Sequence, residues 1–339
     1  MNVSKFLRYI FSLSVAVVLL WFSFREVKWD DFISGLRSCR WEFILLSMAA
    51  SIAAFYLRGL RWRQTLLPID PTTTRLTTFN AVNIGYIANF VFPRIGEFVR
   101  CGFITKNSAS SGRGHEKLAS YDKVLGTVVL ERSWDMVSML FFLILLLVFG
   151  WKRFGEFFVE KMWIPLEQSL NFSLWWIAAV LLAVVAVLVG LVLGFRKKNQ
   201  FCGKIYSLAS GLYQGVISCF RMPDKWLFFA YTALIWGLYW LMSASTMWAL
   251  PELDQLGIVD ALFLMIAGSL GWLVPVPGGF GAFHFVVSMA LSTIYGIPFE
   301  LGIIFATLSH ESQAITMALC GGGSYLYETL RTNRKTIRK

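Results

Sequence analysis

Apolar residues fall in runs long enough to cross a bilayer, and short clusters of charge separate one run from the next. Six runs read as spanning helices: 9–24, 41–60, 133–150, 174–195, 226–250 and 299–327. Two further apolar stretches are irregular. The first, 76–104, is broken at Pro93 and Gly96, and the second, 258–297, at Pro275, Pro277, Gly278 and Gly279. Proline removes a backbone donor and glycine weakens a helix, so each break frees peptide groups that lipid cannot satisfy. Each stretch is long enough for two half-spans or one helical hairpin, with the break facing protein or water. The fold expected is an all-α polytopic membrane protein, with residues 1–339 as a single integral membrane domain.

Composition sharpens this picture. The chain has 339 residues, 57% of them hydrophobic and 15% charged, against about 25% charged in soluble domains. That excludes an ordinary water-soluble enzyme. The net charge of +11 lies in loops beside apolar runs and forms no separate basic domain, so no nucleic acid partner is expected. The five cysteines, Cys39, Cys101, Cys202, Cys219 and Cys320, include no CxxC pair and predict neither a disulfide framework nor a zinc site. Lys5 and Arg8 precede the first run as in a signal peptide. No small-residue cleavage site follows it, so a retained anchor is expected.

Loop charge favours both termini in the cytoplasm. Arg331, Arg334, Lys335, Arg338 and Lys339 end the chain, and Arg196, Lys197, Lys198, Lys204, Arg221 and Lys225 fill one loop. The loops at 251–257 and around Pro298 carry no Lys or Arg, while Arg25, Lys28, Arg37 and Arg40 run against the rule. In this orientation the two broken stretches enter from opposite sides, the pattern of an inverted repeat, in which broken helices present helix ends to a midplane site. Two pairs of ordinary proline-kinked spans are the alternative. The string SASSGRG at 108–114 reads as a polar link. Phe201, Ile205, Leu208, Leu212, Val216 and Phe220 repeat at helical spacing, as in an amphipathic helix on the inner membrane surface or packed on the protein itself.

Three strings carry candidate chemistry. Residues 89–100 read NFVFPRIGEFVR; a helix starting after Pro93 would bring Arg94, Glu97 and Arg100 near one face. An intramembrane charge costs about 2.5–3.5 kcal/mol on insertion scales, so such groups mark binding sites by default. Guanidinium groups bind phosphate oxygens bidentately, which makes a lipid phosphate the natural ligand class. Glu131, Arg132 and Asp135 stand at the entry to a long apolar run, where Glu131 and Asp135 could pair with Arg94 or Arg100, or could simply flank a span. In the string VPVPGGFGAFH at 274–284, Gly278, Gly279 and Gly281 permit a tight turn whose N–H groups can approach an anion, with His284 beside it. His310 and Glu311 form a pair within the last run, read as a buried structural contact. No DxD or HExxH string occurs, so neither a metal nor a cofactor is expected.

Together these strings resemble the lysylphosphatidylglycerol synthase transmembrane family, also called the flippase-like domain family, over essentially the whole chain. The resemblance rests on Leu60, Arg61, Trp62 and Arg63, on Pro93 to Glu97 with Arg100, on Glu131, Arg132 and Asp135, and on the loop from Pro275 to Gly281. The sequence departs from the family at His284, where an acidic residue often follows the loop. The resemblance implies a bacterial inner-membrane domain that moves or presents lipid-linked headgroups. The chain stops soon after its last apolar run, so the soluble aminoacyl transfer domain of larger members, and lysyl transfer with it, is not expected here.

Three functions follow as expectations. The first is a translocase for an anionic phospholipid or polyprenyl-phosphate-linked lipid, with Arg94 and Arg100 on the phosphate and Glu97 and Asn89 beside them. Gly278, Gly279, Gly281 and His284 then contact the ligand from the opposite hairpin, while Glu131, Arg132 and Asp135 pair with or gate the site. The second is a membrane-embedded transferase acting on a lipid carrier, and the third an accessory subunit of a partner transferase.

Overall fold

The structure of the protein, a computed structural model, describes residues 3–25, 27–109, 118–155, 174–195, 197–203, 206, 210, 217 and 219–337. Every regular element among the described residues is helical. In chain order the principal helices are α1 (Val3–Phe24), α2 (Trp29–Ser38), α3 (Trp41–Leu66), α4 (Arg75–Val91), α5 (Gly96–Asn107), α6 (Tyr121–Phe149), α7 (Leu174–Phe195), α8 (Lys225–Trp248), α9 (Ile258–Leu273), α10 (Ala282–Tyr295) and α11 (Phe299–Ile337). Most of the polar link and of the amphipathic stretch, 110–114 and much of 204–218, lies outside the described residues.

The chain forms two compact units, Met1–Glu131 with Trp226–Lys339, and Arg132–Lys225. In the second unit, α6 continues into a π-helical turn at Trp151–Gly155. Leu140, Phe141, Ile144 and Val148 are exposed along that part of α6, as lipid-facing side chains would be. In the first unit, α3 lies along α4, and α11 packs on α3, α4 and α10. One apolar core gathers Met247, Leu250, Leu264, Val287, Leu291, Ile303 and Phe305; a second gathers Trp62, Leu66, Val82, Ile104 and Val124.

Both broken stretches fold as helix–break–helix hairpins within the first unit: α4 with α5, and α9 with α10. At the base of the first, Asp70 accepts hydrogen bonds from the Ser108 hydroxyl, the Thr72 hydroxyl and the backbone N–H groups of Thr72 and Ala109. Burial raises the Asp70 carboxyl pKa, but these hydrogen bonds outweigh it and hold the group below its ordinary value. At the base of the second, Asp260 accepts from the Tyr295 hydroxyl at 2.9 Å and the Gly257 N–H at 2.8 Å. The arms of the first cross at Gly85 and Gly96, where a Cβ on Gly96 would overlap the Gly85 carbonyl.

The tips of the two hairpins meet. The Phe90 and Phe280 rings lie 6.1 Å apart, and the Arg94 guanidinium donates to the Leu273 carbonyl at the end of α9.

Span number differs from expectation. Among the described residues, four helices are long and apolar enough to cross a membrane: Trp41–Leu66, Tyr121–Phe149, Lys225–Trp248 and Pro277–Tyr295. The runs at 9–24 and 174–195 lie in helices of 22 residues each, α1 and α7. The last run falls out because Ser309, His310, Glu311, Ser312 and Gln313 interrupt it. The Pro277–Tyr295 segment, read from sequence as half of a hairpin, is itself long enough.

Candidate functional site

Glu131 sits inside α6, not at its entry, because the helix starts at Tyr121. It is fully buried, and three arginines converge on it. Arg58 and Arg61 arrive from α3, their guanidinium nitrogens 2.9 and 3.3 Å from Glu131 Oε1; Arg100 arrives from α5, 2.8 Å from Oε2. Helical spacing explains the convergence: Arg58 and Arg61 are three residues apart and share one face of α3. Burial of such charges costs several kcal/mol per ion, so the cluster needs dense compensation. Arg58 also donates to the Tyr239 hydroxyl at 2.9 Å, and Arg61 to Thr232 Oγ1 at 3.3 Å, both on α8. The Arg100 guanidinium lies 4.5 Å from the Trp62 ring centroid, and Trp62 Nε1 donates to Thr127 at 2.9 Å. Among the described residues Arg100 Nη2 has no hydrogen-bond partner, so it can donate to a ligand oxygen.

The other residues of the first string surround the break. The helix expected after Pro93 starts only at Gly96, because Arg94 has a left-handed backbone, φ +60°. Arg94 therefore stands outside α5 and is exposed while Arg100 is buried, so Arg94, Glu97 and Arg100 do not line one face. A left-handed arginine persists only where its surroundings hold it. Here its guanidinium is anchored on the Leu273 carbonyl. Asn89 Oδ1 accepts from the Gly96 N–H at 2.7 Å and satisfies the first peptide of α5. Glu97 is partly buried in the first turn of α5. Arg132 and Asp135 pair with each other at 3.6 Å in the Arg132–Lys225 unit.

Gly278, Gly279 and Gly281 all have positive φ, between +58° and +77°, and form the tight turn between α9 and α10. His284 is buried in the first turn of α10 and does not stand alone. Its Nε2 lies 3.7 Å from Glu311 Oε1, and Glu311 is 3.0 Å from His310 Nδ1. The pair read as an isolated contact thus has a second histidine beside it. The ligand atoms of His284, His310 and Glu311 all lie within 4.8 Å of one another.

Arg58 and Arg61 lay within sequence reach as two arginines on one face at the end of an apolar run. A family model described as the lysylphosphatidylglycerol synthase TM region matches residues 9–321. No curated protein and no solved structure matches the chain.

Proposed function

Because the chain belongs to the lysylphosphatidylglycerol synthase transmembrane family, we propose that it moves a phosphate-bearing lipid across the membrane it spans. The substrate is an anionic phospholipid or a polyprenyl-phosphate-linked lipid, recognised by its phosphate. The observation that carries this reading is the convergence of Arg58, Arg61 and Arg100 on the single buried carboxylate of Glu131. Three guanidinium groups around one carboxylate form a site suited to anions, and Glu131 holds the position that a phosphate oxygen would compete for. Arg100 is the exchangeable member: it lies about 6 Å along α5 from the broken tip at Gly96, and its Nη2 is a donor still to be matched.

Arg94, at the junction of the two tips, makes first contact with the phosphate. Asn89 and Glu97 hold the start of α5 beside it, while the turn containing Gly278, Gly279 and Gly281, with His284 behind it, faces it from the other hairpin. In this reading both units form one membrane domain, in a bacterial inner membrane, with both termini cytoplasmic. The basic residues of the C-terminus and of the 196–225 loop support that orientation.

The test uses the purified chain in liposomes, with fluorescent anionic and zwitterionic lipids followed between leaflets. Arg94 is exposed, so Arg94→Ala is expected to insert and fold normally while losing movement of the anionic lipid. Full movement in that variant overturns the phosphate reading. No movement of any lipid by the unaltered chain points instead to a transferase or an accessory subunit.

A further inference from the structure

We propose that His284, His310 and Glu311 form a binding site for a zinc-class divalent ion, tying α10 and α11 to the turn of the second hairpin. The chain has three histidines in 339 residues, and two of them meet here, from different helices.

The hydrogen-bond arithmetic of the cluster asks for a cation. His310 Nε2 lies 2.9 Å from the Gly278 carbonyl, which can only accept, so Nε2 carries a proton. In the neutral ring Nδ1 then presents a lone pair, and it faces another acceptor, Glu311 Oε1, at 3.0 Å. His284 is 2% exposed, its Nδ1 has no hydrogen-bond partner among the described residues, and its Nε2 stands 3.7 Å from the same carboxylate oxygen. Buried imidazoles are ordinarily satisfied. A metal ion between these three groups would use the His310 lone pair, the carboxylate charge and the His284 ring at once.

The donor set selects the metal class. Two imidazole nitrogens and one carboxylate oxygen suit zinc and its neighbours, and leave a fourth position open, whereas calcium and magnesium prefer all-oxygen sites. Ligands about 2.1 Å from one ion stand roughly 3.4 Å apart; the two separations to Glu311, 3.0 and 3.7 Å, fall on either side of that value. The Gly278 carbonyl supplies the outer contact that orients a metal-binding histidine. The Trp272 ring stacks on His310 at 5.0 Å and Phe280 packs edge-on at 4.9 Å, which fixes the imidazole plane. The Glu311 side chain is 38% exposed, giving an ion a route in.

The full chain, purified in detergent and stripped with a chelator, is titrated with cobalt(II) as a spectroscopic stand-in and then with zinc. The expected result is one cobalt per chain with visible bands of a low-symmetry nitrogen and oxygen site and no thiolate band, displaced by zinc. Binding is lost in His284→Phe and Glu311→Gln but kept in His115→Ala, which removes the third histidine. Zinc is expected to raise the melting temperature of the unaltered chain. Should His284→Phe fail to fold, Glu311→Gln and that zinc-dependent melting shift decide the matter. Absence of stoichiometric binding, binding that survives Glu311→Gln, or a melting temperature indifferent to zinc overturns the site.

Discussion

The two broken hairpins share a scaffold and differ at the tip. In each, an aspartate ties the base: Asp70 to Ser108 and Ala109 in one, Asp260 to Tyr295 in the other. In each, prolines and glycines interrupt the apolar run between the arms. The first tip is held by side chains, with Asn89 capping Gly96 and a left-handed Arg94 reaching the Leu273 carbonyl. The second is held by backbone, with three left-handed glycines and the Gly278 carbonyl fixed by His310. One hairpin thus carries a charged side chain at its tip, and the other a glycine turn pinned through its own backbone.

The comparison breaks most severely at the arginine cluster, which has no counterpart on the second hairpin among the described residues. Glu131→Gln removes the carboxylate to which Arg58, Arg61 and Arg100 are paired. Removing one partner of a buried ion pair costs about 3–5 kcal/mol. The free energy of unfolding in detergent is expected to fall by that order, well beyond Asp260→Asn, which keeps one acceptor oxygen and loses one hydrogen bond worth about 1 kcal/mol. Equal losses in the two variants would mean that charge does not distinguish the hairpins.

The crossing and the turn come next. Gly96→Ala drives a Cβ into the Gly85 carbonyl and must part α4 from α5, an overpacking cost of about 1–3 kcal/mol. Gly278→Ala forces an alanine to φ +58° and sets its Cβ 2.7 Å from the Phe90 ring, with a backbone penalty of about 1–2 kcal/mol. Movement assays sharpen the contrast: both variants should lose stability, and Gly278→Ala, which displaces the turn facing Arg94, should also slow movement of the anionic lipid; unchanged movement would remove that turn from the proposed site.

Much of this scaffold was legible because its signals are local. Pro93, Gly96, Pro277 and Gly278 mark the breaks by what their backbones cannot do, and apolar runs mark the helices around them. Polar residues such as His310 and Glu311 lower the hydropathy of the last apolar run, a measure that does not see the partners that shelter them, although one helix, α11, runs through the whole of it. The start of α5 was misplaced because nothing in a sequence announces a left-handed arginine. The arginine cluster was half legible. Arg100 and Glu131 stood out as charges in apolar surroundings, but Arg58 and Arg61 come from a different helix, and only the packing of α3 beside α4 brings them to Glu131. His284 likewise gained its partners through the antiparallel return of α11 along α10.

The smallest expected effect lies at the base of the first hairpin and is read by pH. Hydrogen bonds hold the Asp70 carboxyl below its ordinary pKa in the folded chain, against the opposing effect of burial. A carboxyl depressed on folding stabilises the protein fully above its unfolded pKa, and that contribution fades as pH falls through the unfolded and then the folded value. Asp70→Asn should therefore melt lower than the unaltered chain near neutral pH, and the gap should narrow steadily on acidification below the ordinary carboxylate range. A gap that stays constant to low pH would mean that shape, and not charge, ties Asp70 to Ser108. The two bases would then be equivalent, and the asymmetry of the hairpins would be confined to their tips and the arginines behind the first.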